Sequence, residues 1–99
     1  MVFELESKVS DAYESAKSGD LDSARSKLDA ASEHWLSLDG YTHIFIRHSE
    51  IDAITDAFFD FKSDLNDDSS TAYEGSYHRL MAHLESIRTM EQLTFGSIF

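Results

Sequence analysis

Cysteine and proline are absent from this 99-residue chain, and it holds only four glycines. Without cysteine there are no disulfides and no thiolate metal ligands. The lack of proline and the scarcity of glycine leave few helix breakers, which suits helices joined by short connections. Positive charge is scarce as well. Eight Lys and Arg stand against 19 Asp and Glu, a net charge of -11. Sequence-independent binding to nucleic acid needs basic side chains at the phosphates, so this balance argues against a nucleic-acid partner. It argues equally against peripheral binding to anionic lipid. It favours solubility and basic partners, although a solvated acidic surface is the plainer reading. Long hydrophobic runs are missing too. None exceeds three residues, as in Ile44-Phe45-Ile46 and Ala57-Phe58-Phe59, far short of the ~20 apolar residues that cross a bilayer. There is no signal peptide, and the chain as it stands is expected to be soluble.

What is present is helical periodicity. With 41% hydrophobic residues, the chain has material for one core, and its length fits a single domain over residues 1–99. Leu5, Val9, Ala12 and Ala16 step by four, three and four. Leu21, Ala24, Leu28, Ala31, Trp35 and Leu38 alternate threes and fours. Ile51, Ile54, Phe58, Phe61 and Leu65 do the same, and Ile44 and His48 extend that row backwards. Tyr73, Tyr77, Leu80, Leu84 and Ile87 form a fourth row. No alternation of period two is sustained, so strands are not expected.

Punctuation falls between the rows. Gly19-Asp20 reads as a left-handed glycine followed by an N-cap. Asp39-Gly40 separates the second row from the third, and Asn66-Asp67-Asp68-Ser69-Ser70 the third from the fourth. Thr71 and Glu74 have capping-box spacing. Such short loops make neighbouring helices antiparallel. The expected fold is all-α, an up-down bundle of four antiparallel helices over about 2–18, 20–38, 42–65 and 71–90. An apolar tail follows over 91–99. Ser49 and Asp52 offer a later start for the third helix, but the row through Ile44 and His48 places it near Thr42. Gly19-Asp20 with Ala24 has the look of a tetratricopeptide turn. The second half does not repeat it, and such arrays need about three repeats.

The chemistry-bearing candidates gather between Trp35 and Asp52. His48 and Asp52 are four apart and share a helix face. His43 lies five before His48, which is not a same-face spacing within one helix. A divalent metal can use His48 and Asp52 with help from another helix. The plainer reading places His48 on the apolar seam as a core histidine oriented by Asp52. The Glu-x-x-His pairs of di-iron bundles and the His-Glu-x-x-His motif are both missing. So are a Gly-x-Ser-x-Gly elbow and a glycine-rich phosphate loop. Ser7, Ser10, Ser15 and Ser18 read as solvent-facing filler. The expectation is no enzyme, no cofactor and no dedicated metal site.

Aromatic residues are abundant, with Trp35, Phe45, Phe58, Phe59, Phe61, Tyr73, Tyr77 and Phe95 prominent. Most belong to the seams. Phe59, Met81 and Met90 fall beside their rows, where they either widen the core face or mark a patch for self-association or a partner. The tail ends on Phe99 and is too apolar for a disordered segment. Leu93, Phe95, Ile98 and Phe99 are expected to anchor it over the bundle end, or to dock it into a neighbouring subunit. The five histidines, His34, His43, His48, His78 and His83, offer pH dependence in principle.

Gly19-Asp20 with Ala24, Trp35, the run Ile44-Phe45-Ile46-Arg47-His48-Ser49-Glu50-Ile51-Asp52 and the ending Ser97-Ile98-Phe99 together resemble a small bacterial helical family, domain of unknown function 4363. The likeness covers nearly the whole chain. Its sharpest elements are His48-Ser49-Glu50-Ile51-Asp52 and the final Ile98-Phe99, which follows Glu91 and Leu93. Arg47 stands where an acid is expected, and Ser97 where an asparagine is. The first puts a cation beside the candidate ligands and weakens a metal reading. The resemblance implies an N-terminal hydrophobic anchor in the native setting, whereas this chain starts directly at its first amphipathic helix. It would then be a trimmed or soluble variant that meets a membrane only through an anchor absent from this chain. The resemblance supplies no reaction and no catalytic residue. It implies that the junction around His48 and Asp52 matters, fixing the helix crossing or lining a small pocket with Trp35. The expected role is a protein-protein interaction module of the cell envelope, acting on a protein partner or by self-association. The candidate residues are Trp35, His43, Phe45, His48, Asp52, Phe95 and Phe99. The alternative is a small-ligand or metal-binding bundle using His48 and Asp52.

Overall fold

The structure is a computed structural model. It describes residues 2–44, 46–66 and 73–98, and for Asp39 and residues 95–98 the backbone alone. The order is α1 (Val2–Lys17), α2 (Leu21–Ser37), α3 (Asp39–Thr42), α4 (His48–Asn66) and α5 (Tyr73–Ile98). There is no strand among the described residues. The all-α bundle expected from the sequence is therefore found, with four long helices and one extra helical turn, α3.

The first turn forms as its chemistry dictates. Gly19 has φ of 89°, a left-handed value that L side chains avoid. The Asp20 N–H donates to the Ser15 carbonyl and the Gly19 N–H to the Ala16 carbonyl, at 3.0 and 3.1 Å. These are the two hydrogen bonds of a Schellman motif, and they satisfy carbonyls left open at the end of α1. The Asp20 carboxylate then accepts from the Ser23 N–H at 3.1 Å, capping α2.

Cross-links between helices fix their directions. Asp29 pairs with Lys62 at 2.7 Å, while Trp35 lies against Thr55 and Phe58, so α2 and α4 run antiparallel. Asp60 meets Arg79 and Asp64 accepts from Ser76, which sets α4 against α5 in the same way. Glu6 pairs with Arg88 at 2.7 Å, while Tyr13 stacks on Tyr77, and α1 and α5 are antiparallel too. The four rows read from the sequence meet along the axis, with Leu5, Val9, Leu28, Trp35, Ile54, Phe61, Leu80 and Leu84 all buried. Arg25 reaches from α2 to donate to the Leu65 carbonyl at 3.1 Å, a cation at the C-terminal end of α4 where the helix dipole favours one.

Two expectations are corrected. The third long helix starts at His48, not near Thr42. The chain turns out of helix after Thr42, so Ile44 and His48 do not continue the row through Ile51. Ile44 is 63% exposed and His48 is also exposed, whereas Ile46 and Thr42 are buried in their place. The second correction concerns residues 91–99. No separate tail begins after residue 90, because α5 runs through to Ile98. Glu91, Gln92 and Leu93 are good helix formers, and extending an existing helix costs far less than starting one. Leu93 is 67% exposed and is not an anchor. The expected anchors Phe95, Ile98 and Phe99, the aromatic Phe45, and the capping residue Thr71 with most of its preceding loop lie outside the described side chains.

Candidate interaction groove and histidine pair

Helices α2 and α4 cross-link through Trp35 and Thr55. A depression of about 390 Å³ lies beside this link, lined by Trp35, Leu36, Thr42, His48, Ile51, Asp52 and Thr55. A smaller hollow of about 120 Å³ continues it toward Phe58, Phe59 and Lys62, and shares Trp35, Leu36 and Thr55 with the first. Together they make one shallow groove with an aromatic floor. Its flanks carry two large apolar side chains in water, Leu36 at 59% exposed and Phe59 at 68%.

Trp35 is the floor. It is buried, and its ring lies 6.4 Å from that of Phe58, centre to centre, at 26°. A buried indole N–H must find an acceptor. Here it donates to the Thr55 hydroxyl at 3.0 Å, and that hydroxyl donates on to the Ile51 carbonyl at 3.0 Å. Thr55 thus joins the two helices through this chain of hydrogen bonds. Sequence reasoning missed it, although a Thr set between Ile51 and Phe58 on a helical row was a usable signal.

His48 and Asp52 both line the depression, as their spacing promised. Both are exposed, and no hydrogen bond or ion pair joins them. The core histidine oriented by Asp52 is therefore not what forms. His48 turns to His43 instead. The His43 Nε2 and His48 Nδ1 atoms are 3.3 Å apart, with ring centres 5.4 Å apart and a 42° tilt. A spacing of five is wrong for one helix face, but the helix is broken between them. The Ile46 N–H donates to the Thr42 carbonyl at 2.9 Å, and the Glu50 N–H to that of Arg47 at 3.0 Å. Thr42 and Ile46, which flank the break, are both buried.

Asp52 is the acid that lines the first depression, and Lys62, paired with Asp29 at 2.7 Å, lines the second. Among the described residues no group of three or more His, Asp or Glu is placed to hold a metal ion. None of the described helices is long and apolar enough to cross a membrane.

Tyrosines outside the groove are the groups with shifted titration. The Tyr41 hydroxyl donates to the Glu91 carboxylate and ties α3 to the far part of α5. Burial, then the hydrogen bond to Glu91 and the charge of that carboxylate, push the Tyr41 phenol up to about 12. The Tyr13 phenol is pushed up as well, first by desolvation and then by the negative charge of Glu74. Tyr13 stacks on Tyr77 at 3.8 Å, with the Lys17 ammonium 5.4 Å from its ring.

Compared with known proteins, the chain matches the family model described as Domain of unknown function (DUF4363) over residues 2–98. No curated protein matches it, and no solved structure does.

Proposed function

We propose that this chain, which belongs to the DUF4363 family, is a non-catalytic docking domain whose α2–α4 groove receives an amphipathic helix of a protein partner. Leu36 and Phe59, exposed on either side of a groove floored by Trp35, are the observation that carries this reading. Two large apolar side chains beside one aromatic-floored depression are what a helix-in-groove partner uses as anchors. The surrounding charge defines the rest of the partner. Asp52 lines the groove on a chain of net charge -11, so the partner's helix carries Lys or Arg beside its apolar stripe. In its native setting the domain sits at the cell envelope, held at the membrane by an N-terminal hydrophobic anchor. The absence of nucleophile, phosphate-loop and metal motifs from the sequence supports a role without chemistry.

The test is capture of partners from separated membrane and soluble fractions, with the wild type and a Leu36→Ser, Phe59→Ser double variant as baits. Both positions are exposed, so the variant should melt as the wild type does. A membrane-fraction protein held by the wild type and lost with the variant is expected. Capture that is equal for both baits would refute the groove as the docking surface.

A further inference from the structure

We propose that His43 and His48 form an open two-histidine site for a divalent transition metal ion, with zinc as the reference case. The separation of the two nitrogens is the starting point. Zinc–imidazole bonds are about 2.0–2.1 Å long, so two imidazoles on one tetrahedral zinc place their nitrogens about 3.3–3.4 Å apart. His43 Nε2 and His48 Nδ1 already stand at 3.3 Å. That is long for a hydrogen bond between two nitrogens and right for two ligands of one ion. Both residues are exposed, so an ion can reach the facing nitrogens from solvent.

The backbone has done the expensive part. Binding a metal with two side chains of a mobile loop costs the entropy of ordering that loop. Here Thr42, beside His43, and Ile46, two residues before His48, are buried and joined by the Ile46-to-Thr42 hydrogen bond at 2.9 Å. The imidazoles are set at ligand spacing before an ion arrives. Asp52 lines the same depression as His48 and adds negative charge nearby. Arg47 is exposed between the two histidines in the chain and works against a cation, so the site is weaker than one with three protein ligands. Two protein nitrogens leave two tetrahedral positions for water or an outside donor.

The arrangement also fixes which nitrogens bind. His43 coordinates through Nε2 and keeps its proton on Nδ1. His48 coordinates through Nδ1 and keeps its proton on Nε2. Metal binding requires both facing nitrogens to be without a proton, so it shifts each ring fully to one tautomer. That change is visible in ring nitrogen spectra. This inference does not depend on the docking role of the groove, because it needs no partner.

The experiment is a zinc titration of the untagged full chain at neutral pH, followed by the ring ¹⁵N resonances of all five histidines. The expected result is saturable binding in which His43 Nε2 and His48 Nδ1 move together, while His34, His78 and His83 do not. Magnesium should move none of them, because it prefers oxygen ligands. His43→Ala and His48→Ala should each weaken zinc binding by at least about tenfold, the lower end of what loss of even an outer-shell partner costs. Both should melt like the wild type in chelator, which separates a lost ligand from a lost fold. No saturable binding, movement spread over all five histidines, or undiminished binding by either variant would overturn the proposal.

Discussion

Thr55 has the largest consequences for its size of any residue on the α2–α4 face. Its hydroxyl is the acceptor for the buried Trp35 N–H and the donor to the Ile51 carbonyl. Thr55→Val keeps the shape and removes the acceptor. It should destabilise the domain by about 1–3 kcal/mol, the cost of a buried donor left without a partner. Urea unfolding followed by Trp35 fluorescence measures it. Adding Trp35→Phe to the valine variant should cost less than the sum of the two single changes, because the orphaned donor is then gone. Tyr41 gives a prediction of the same scale in pH. Its phenol ionises at about 12 in the folded chain against 10 in the unfolded one. The folded state therefore holds the proton longer, and the stability this provides is complete below pH ~10 and lost as pH rises toward ~12. Tyr41→Phe should flatten the alkaline loss of stability, and a small part should remain from Tyr13, whose shift has the same sign. The sequence did not point to Tyr41, because its partner Glu91 sits fifty positions away on a stretch read as a tail.

At the scale of elements, legibility followed locality. The Gly19-Asp20 turn was readable because both of its devices, a left-handed glycine and an N-cap carboxylate, act within five residues. Gly19→Ala should cost about 1–2 kcal/mol from the left-handed backbone alone. Asp20→Ala should cost about 1 kcal/mol through the lost cap. Chemical denaturation of the two variants checks both values. The start of α4 was not readable from its apolar row, because Ile44 and His48 fit the row by number without sharing the helix. What decides the matter is the burial of Ile46 and Thr42, a tertiary contact that spacing does not encode. The same break produced the His43–His48 pair, although five residues is not a same-face spacing within one helix. Of the site named from sequence, Trp35, His48 and Asp52 line the groove, and His43 stands beside it through His48. Leu36 and Thr55 came only from the fold, since their roles depend on the α2–α4 crossing.

For the whole molecule, the principal extents of 46 × 22 × 20 Å describe a rod of four long helices. The chain as a whole carries a net charge of -11. A basic partner should therefore bind faster and more tightly at low salt, with affinity falling as ionic strength rises, while the apolar anchors at Leu36 and Phe59 persist. Salt-insensitive binding would mean that the acidic charge takes no part. The most direct measurement of the docking role is photo-crosslinking in the protein's own cells, with the reactive side chain placed at Phe59 and, as a control, at exposed Glu14 on α1. The groove account predicts a discrete protein adduct from position 59 that is missing from position 14. Adducts of the same identity and yield from both positions, or none from position 59 while position 14 reacts, would contradict it.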